Sequence, residues 1–358
     1  MDRLHIAIFG PVNSGKSTLV NAIAGQEVSL VSPVPGTTTD PIRKAVEIPG
    51  LGPCVLIDTA GLDDDSLLGS ERVRRTRAVL DETDVAVVLE PVIPDLIGDL
   101  KRAAIPTVTY TRGESVASLL ERIAAAVPKE EHRFLTGNLV KAGDTVVLVM
   151  PQDSEAPKGR LILPQVQVIR ELLDRGCNPL CCTPEMLSTA LSSLKAAPAL
   201  VITDSQAFAA VNATLPSDVP LTSFSVLLAG AKGDLPVFVE GAQAIDALKP
   251  GDRVLIAEAC THVPDTEDIG RVKIPALLRK KTADQVGFDI AAGNDFPEDL
   301  TPYALIIHCG ACVATATLVR SRIRKALLAG VPITNYGIAL AKLQGILSRI
   351  RFPGQAGE

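Results

Sequence analysis

The chain has 358 residues, 47% of them hydrophobic and 21% charged, a balance that excludes a disordered protein and leaves room for two or three folded domains. A formal net charge of −6 argues against a broad nucleic-acid interface, which needs a basic face to displace counterions, and three Tyr, eight Phe and no Trp provide few platforms for stacking bases. No apolar run reaches the roughly 18 to 20 residues of a bilayer span, and "MDRLHIAIFG" lacks the basic start and cleavage site of a leader, so a cytoplasmic protein is expected, with its seven cysteines outside any disulfide framework.

The first predicted element is the strand "HIAIFG". It runs into Gly10-Pro-Val-Asn13-Ser14-Gly15-Lys16-Ser17 and then the helical pattern "TLVNAIAG". Strand, glycine loop and helix in that order form the context of a phosphate-binding loop. Backbone N–H groups from Gly10 through Thr18 cradle phosphates, Lys16 reaches the outer ones, and the Ser17 hydroxyl ligates magnesium.

Two later segments fit GTP rather than ATP chemistry. "PGTTTD" at 35–40 lies where a nucleotide-sensing switch would lie, with Thr38 as a second magnesium ligand. The strand "CVLIDTAGL" ends in Asp58-Thr-Ala-Gly61, so that Asp58 holds the metal through water and the Gly61 N–H senses the terminal phosphate. Leu62, the next residue, is apolar and cannot orient an attacking water. With Asn13 in the loop, this set resembles the potassium-activated GTPases of the TrmE and Era group, which implies Asn13 as a potassium ligand.

After the strand "DVAVVLEPV", the helical "IPDLIGDLKRAA" and the strand "IPTVTY", a guanine-reading Asn-Lys-x-Asp element is expected. The chain has Thr111-Arg112-Gly113-Glu114, in which only Glu114 offers a comparable carboxylate. The helix "ESVASLLERIAAAVP" follows at once, without room for the usual later strand. These residues define a shortened nucleotide domain over 1–128.

The remainder contains a duplication. "AGDTVVLV" matches "PGDRVLIA", Gly159-Arg160 through Pro164 matches Gly270-Arg271 through Pro275, "PALVITDS" matches "YALIIHCG", and "VPLTSFSV" matches "VPITNYGI", at offsets of 108, 111, 105 and 112 residues. Strands alternating with helical patterns predict two related open-sheet modules over 135–230 and 235–358. The fold class is therefore α/β: three modules with mostly parallel sheets, a P-loop domain followed by two duplicated ones.

The second copy places His308-Cys309-Gly310-Ala311-Cys312 where the first has Thr203-Asp204-Ser205-Gln206-Ala207, and Cys260 and His262 where the first has Gln152 and Ser154. The fold thus does not require the thiols. Both segments follow the C-terminal ends of predicted strands, where open parallel sheets place ligands. Three thiolates and an imidazole suit tetrahedral zinc, whereas three thiolates with a variable fourth position suit a 4Fe-4S cluster. Cys54, Cys177, Cys181 and Cys182 are read as packing, and Arg320, Arg322, Arg324 and Lys325 as a solvated helix face.

The P-loop with its Asn, the DTAG element, "GDTVVLVMPQDSEAPKGRLILPQVQVIRELLD", "LIAEACTH", "IIHCGACV" and "PITNYG" together resemble the HydF family, GTPases that mature iron-iron hydrogenase. The resemblance covers nearly the whole chain. It implies a GTPase domain, a dimerisation domain with a homodimer, and a cluster domain in which Cys260, Cys309 and Cys312 hold 4Fe-4S, with His262 or His308 as an exchangeable fourth ligand. It also implies a carrier that takes a di-iron precursor from radical-SAM maturases to apo-hydrogenase, with no nucleic-acid or membrane partner. The competing reading is a regulatory GTPase of tRNA modification or ribosome assembly whose C-terminal site holds structural zinc.

Overall fold

The computed structural model describes residues 3–25, 41–61, 75–127, 134–152, 159–259, 268–283, 285–293 and 295–354. Contacts divide the chain into two units, Met1–Glu131 and His132–Glu358.

In the first unit β1 (Leu4–Phe9) is followed by α1 (Lys16–Ala24), β2 (Ile42–Ile48), β3 (Gly52–Asp58), β4 (Val85–Leu89), α2 (Pro94–Arg102), β5 (Thr107–Tyr110) and α3 (Val116–Ala126). The sheet order is β2-β3-β1-β4-β5, parallel throughout except for β2 against β3. Strand period two sorts its central side chains to two faces. Ile6, Ile8, Leu56, Val85 and Val87 meet Leu119 and Ile123 of α3 on one, while Ala7, Phe9, Ile57, Ala86 and Val88 meet Leu96 and Leu100 of α2 on the other. Coverage on both faces is why these strands read as unbroken apolar runs. β2, by contrast, alternates exposed and half-buried residues along an antiparallel edge, and its weak pattern hid it from the sequence reading.

The second unit opens with β6 (Thr145–Val149), α4 (Leu163–Asp174), β7 (Asn178–Cys182), α5 (Leu187–Ser193), β8 (Leu200–Thr203), α6 (Phe208–Thr214), β9 (Leu221–Ser223) and α7 (Phe224–Lys232). It continues with α8 (Leu235–Ala247), β10 (Arg253–Glu258), α9 (Ile274–Thr282), β11 (Gly287–Ala292), β12 (Leu305–His308), α10 (Ala316–Leu328), β13 (Ile333–Asn335) and α11 (Tyr336–Leu343).

Two all-parallel sheets result, ordered β7-β6-β8-β9 and β11-β10-β12-β13. The orders are identical when each copy is numbered from its own first strand, and the matching sequence blocks fall on equivalent elements: β6 and β10, β8 and β12, β9 and β13. The duplication inferred from four short blocks is thus visible as repeated topology. Both sheets draw on one continuous core, in which Val201, Phe208, Val226 and Phe238 join Ile256, Leu278, Ile306 and Ile338. α8 lies directly on β13. A Cβ at Gly241 would meet the Ile333 carbonyl oxygen at 2.0 Å, so only glycine allows that approach. Among the described residues no helix is long and apolar enough to cross a membrane.

Candidate functional site

In the first unit the residues expected to bind phosphate gather at the C-terminal ends of β1 and β3, where the register pairs Ile8 with Asp58. The chain leaves β1 at Gly10 and turns through Asn13 at φ 59° and Gly15 at φ 96° before α1 begins at Lys16. Positive φ suits glycine, and among other residues Asn tolerates it best, which accounts for both choices. The Ser14 hydroxyl donates to the Pro11 carbonyl at 2.9 Å and fixes the turn. Lys16 is buried, and its ammonium donates to the carbonyls of Gly10 at 3.1 Å and Pro11 at 2.6 Å. Ser17 and Thr18 follow in the first turn of α1. Asp58 is fully buried, and Thr59 donates to the Ile8 carbonyl at 2.6 Å, tying the DTAG segment to the strand that feeds the loop. Gly61 lies against the loop itself, where a Cβ would meet Val12 N at 2.7 Å and Val12 Cγ2 at 2.3 Å. Thr38 and Leu62 lie outside the described residues.

Glu114 sits in a turn after β5, its N–H bonded to the Thr111 carbonyl. Its carboxylate is already engaged: Arg122 Nη2 donates to both oxygens at 2.5 and 2.6 Å, and the Ser118 hydroxyl donates at 3.2 Å. A base-reading role would require that set to open.

In the second unit β10 and β12 are parallel neighbours, so the segments that follow them emerge side by side. Cys260 and His262 lie outside the described residues. Among the described residues no group of three or more His, Cys, Asp and Glu forms a metal-holding cluster; the described part of the predicted thiolate set is Cys309 and Cys312. The Cys309 sulfur accepts N–H groups from Ala259 at 3.1 Å and Ala311 at 3.4 Å, one from each segment. Burial pushes the Cys309 thiol up, opposed by those two N–H groups and by the Arg322 charge. Two N–H groups converging on one sulfur suit a metal-bound thiolate, so the turn fits a thiolate-held metal group.

His308, expected with His262 as a fourth ligand, is buried with both ring nitrogens engaged. Nδ1 is 2.8 Å from the Cys309 carbonyl and Nε2 is 3.1 Å from Arg322 Nη1. A guanidinium only donates, so Nε2 is the acceptor and Nδ1 carries the proton. Burial, then the neighbouring guanidinium, push its pKa down to about 3, and the ring is neutral. This arrangement leaves no ring nitrogen for a metal unless Arg322 withdraws.

Arg322 corrects the sequence reading, which placed it on a solvated face. It is 2% exposed, its Nη1 also donates to the Glu258 carbonyl at 3.1 Å, its Nη2 donates to the Gly293 carbonyl, and its guanidinium lies over the Phe296 ring at 4.9 Å. It thus bridges the ends of both strands that precede the cysteine segments. The signal was present in the periodicity: Leu318, Val319, Arg322, Ile323 and Ala326 share the buried stripe of α10. The other cysteines divide. Cys54 and Cys177 are buried as expected, whereas Cys181 is exposed on β7, contrary to its reading as a packing residue.

A cavity of about 240 Å³ opens onto this turn, walled by Gly310, Cys312 and Tyr336 from the second copy and by Gln165, Asp204 and Ser225 from the first. These residues lie at the C-terminal ends of strands or the first turns of the following helices.

Comparison with known proteins finds family matches to three segments of the chain. Residues 5–115 match the 50S ribosome-binding GTPase family, residues 135–233 the hydrogen maturase F dimerization domain, and residues 236–352 the hydrogen maturase F tetramerization domain. Among curated proteins the chain is similar to the tRNA modification GTPase MnmE of Methylobacterium sp. (strain 4-46), 35% identical over 164 residues, covering 40% of this chain and 35% of that protein. It also resembles the MnmE of Xanthomonas oryzae pv. oryzae (strain MAFF 311018), 44% identical over 89 residues, covering 25% and 20%. The chain therefore spans about a third or less of these relatives' length. Solved structures with partial similarity include a variant of Aquifex aeolicus Era bound to GDP.AlF4-, 19% identical with a TM-score of 0.29 over 51% of this chain and 93% of that one. NFeoB from S. thermophilus bound to GDP.AlF4- and K+ is 17% identical with a TM-score of 0.23, over 35% and 62%.

Proposed function

This chain belongs to the hydrogen maturase F family, and on that premise we propose that it is a GTP-hydrolysing scaffold that holds a 4Fe-4S cluster and carries a di-iron precursor from radical-SAM maturases to apo iron-iron hydrogenase. The observation that carries the reading is the Cys309 sulfur, met by one N–H from each of two ligand-bearing segments at the C-terminal edge of a family-matched module.

In this reading residues 1–128 form the GTPase, 135–230 the dimerisation module of a homodimer, and 235–358 the cluster module. The match to a tetramerization domain supports further assembly beyond the dimer. GTP phosphates sit on the loop from Gly10 to Thr18. Lys16 would exchange its carbonyl partners for phosphate oxygens, Ser17 and Thr38 would ligate magnesium, Asp58 would hold the metal through water, and the Gly61 N–H would face the terminal phosphate. Asn13 contributes to a potassium site. Because Leu62 cannot orient water and Glu114 is held by Arg122, turnover is slow, stimulated by potassium and weakly selective for guanine. Cys260, Cys309 and Cys312 are the thiolates of the cluster, and the fourth position falls to His262 or to an exchangeable donor. The bound cluster supplies an iron able to accept and release the precursor.

The test is anaerobic iron, sulfide and zinc analysis of the reconstituted chain, with electron paramagnetic resonance after reduction. About four irons and four sulfides per chain, lost in Cys309→Ser while nucleotide binding is retained, is the expected result. Zinc without sulfide would overturn it in favour of a regulatory GTPase with a structural metal. For the nucleotide site, equal turnover in sodium and potassium would remove Asn13 from any cation role.

A further inference from the structure

Lys232, the last residue of α7 in the first copy, is 4% exposed. Its ammonium reaches into the cysteine turn of the second copy and donates to the carbonyls of Ala314 at 2.8 Å, Ala311 at 3.0 Å and Cys312 at 3.4 Å. Three acceptors match the three donors of an ammonium, and all come from four consecutive residues that contain Cys312.

The turn it grips is strained. Ala311 has φ 51°, a left-handed conformation that costs an alanine about 1–2 kcal/mol, and it is closed by the Ala314 N–H on the Ala311 carbonyl at 3.2 Å. The N–H of the same residue donates to the Cys309 sulfur at 3.4 Å. Glycine would adopt this conformation without strain, so an alanine here depends on outside contacts to hold it. The ammonium binds the carbonyl on each side of that turn.

We propose that Lys232 is a positioning residue for the cluster: it locks the 309–314 turn so that the Ala311 N–H and the Cys309 and Cys312 thiolates converge, and it sets a fixed cation beside an anionic ligand set. The proposal rests on the reading that Cys309 and Cys312 are cluster ligands. A cation held there stabilises the reduced, more negative cluster and raises its midpoint potential, since charge and hydrogen bonding around the sulfurs are the protein's levers on that potential. It also links the copies, because the first supplies the clamp and the second the thiolates.

The experiment uses the full chain with Lys232→Met, Lys232→Gln and Lys232→Arg. Lys232→Gln keeps an N–H2 donor without charge, and carries the test if the methionine variant does not fold. Reconstituted protein is titrated anaerobically with dithionite under electron paramagnetic resonance. At the wild-type midpoint, the reduced-to-oxidised ratio of the neutral variants is expected to fall about tenfold, equal to about 59 mV for one electron; Lys232→Arg is expected to remain near wild type. A folded neutral variant with the wild-type potential would overturn the charge role. Metal-free chain supplies a second readout, the alkylation rate of Cys309 and Cys312 by iodoacetamide. A severalfold increase in Lys232→Met or Lys232→Gln supports positioning, and an unchanged rate overturns it. Wild-type chain that takes up neither iron nor sulfide would defeat the cluster reading instead, and the alkylation rates would still decide whether Lys232 orders the turn.

Discussion

Replacing Arg322 with methionine removes a guanidinium while keeping most of its buried volume, and the structure fixes what is left behind. Its Nη1 donors serve the Glu258 carbonyl and His308 Nε2, and its Nη2 serves the Gly293 carbonyl. Glu258 O keeps the Gly293 N–H as a second donor at 3.1 Å, so it is not stranded. His308 Nε2 and the Gly293 carbonyl lose a donor. A buried acceptor left unsatisfied costs about 1–3 kcal/mol, which His308 Nε2 bears in full, whereas the part-buried Gly293 carbonyl can regain water, so about 2 kcal/mol is expected. The loss should be local, confined to the ends of β10 and β12 where the clamp sits. Native-state hydrogen exchange of peptides spanning 253–259 and 305–312 reads the opening free energy of those strands directly and does not depend on two-state unfolding of a multidomain chain. A further variant sharpens the test. Replacing His308 with leucine in the Arg322→Met background removes one stranded acceptor and should recover about 1–2 kcal/mol, because deleting both partners costs less than deleting one. A fall below about 1 kcal/mol in the single variant, or further loss in the double variant, would refute the view that Arg322 holds the two strand ends together.

Gly61→Ala places a methyl against Val12 N at 2.7 Å; overpacking of this kind costs about 1–3 kcal/mol, and thermal unfolding should show that loss together with GTP turnover at least about tenfold lower. Glu114→Ala is expected to change GTP affinity less than about threefold, since the Glu114 carboxylate is already engaged by Arg122 and Ser118; a loss near a hundredfold by calorimetry would restore Glu114 as the base reader. Burial alone would raise the Glu82 carboxyl, but hydrogen bonds and charge from His5 and Arg43 bring it below the usual carboxylate value. A depressed folded pKa means that the unfolded chain binds protons first, so this contribution is complete above the ordinary Glu range and is lost as pH falls through the folded pKa. Glu82→Gln should therefore flatten the acid limb of the first unit's stability curve, and identical pH profiles for the variant and wild type would rule the pair out.

Local chemistry made the P-loop legible, because glycine, Asn13, Lys16 and Ser17 act within one turn and the strand and helix around them carry their own periodicities. The duplication was legible for a related reason: apolar strands buried on both faces leave unbroken runs that can be aligned. The edge strands β2 and β7 carry mixed exposure and left no such run. The cysteine segments stood out in the sequence because the first copy shows that the fold does without thiols.

Packing alone selected the side chains that stand behind those cysteines. Arg322 and Lys232 are long cations that look solvent-bound in composition, yet each lies on the apolar stripe of its helix. They are buried because their donors find carbonyls 29 to 82 residues away in sequence. His308 was chosen by its place beside Cys309, but its ring is spent on Arg322 and on a backbone carbonyl, and only packing could reveal that. Residue types and their order at the strand ends are properties of the sequence. The partners of those residues were set by how two duplicated sheets share one core, because a buried polar group takes whichever donor or acceptor the packing brings within about 3 Å.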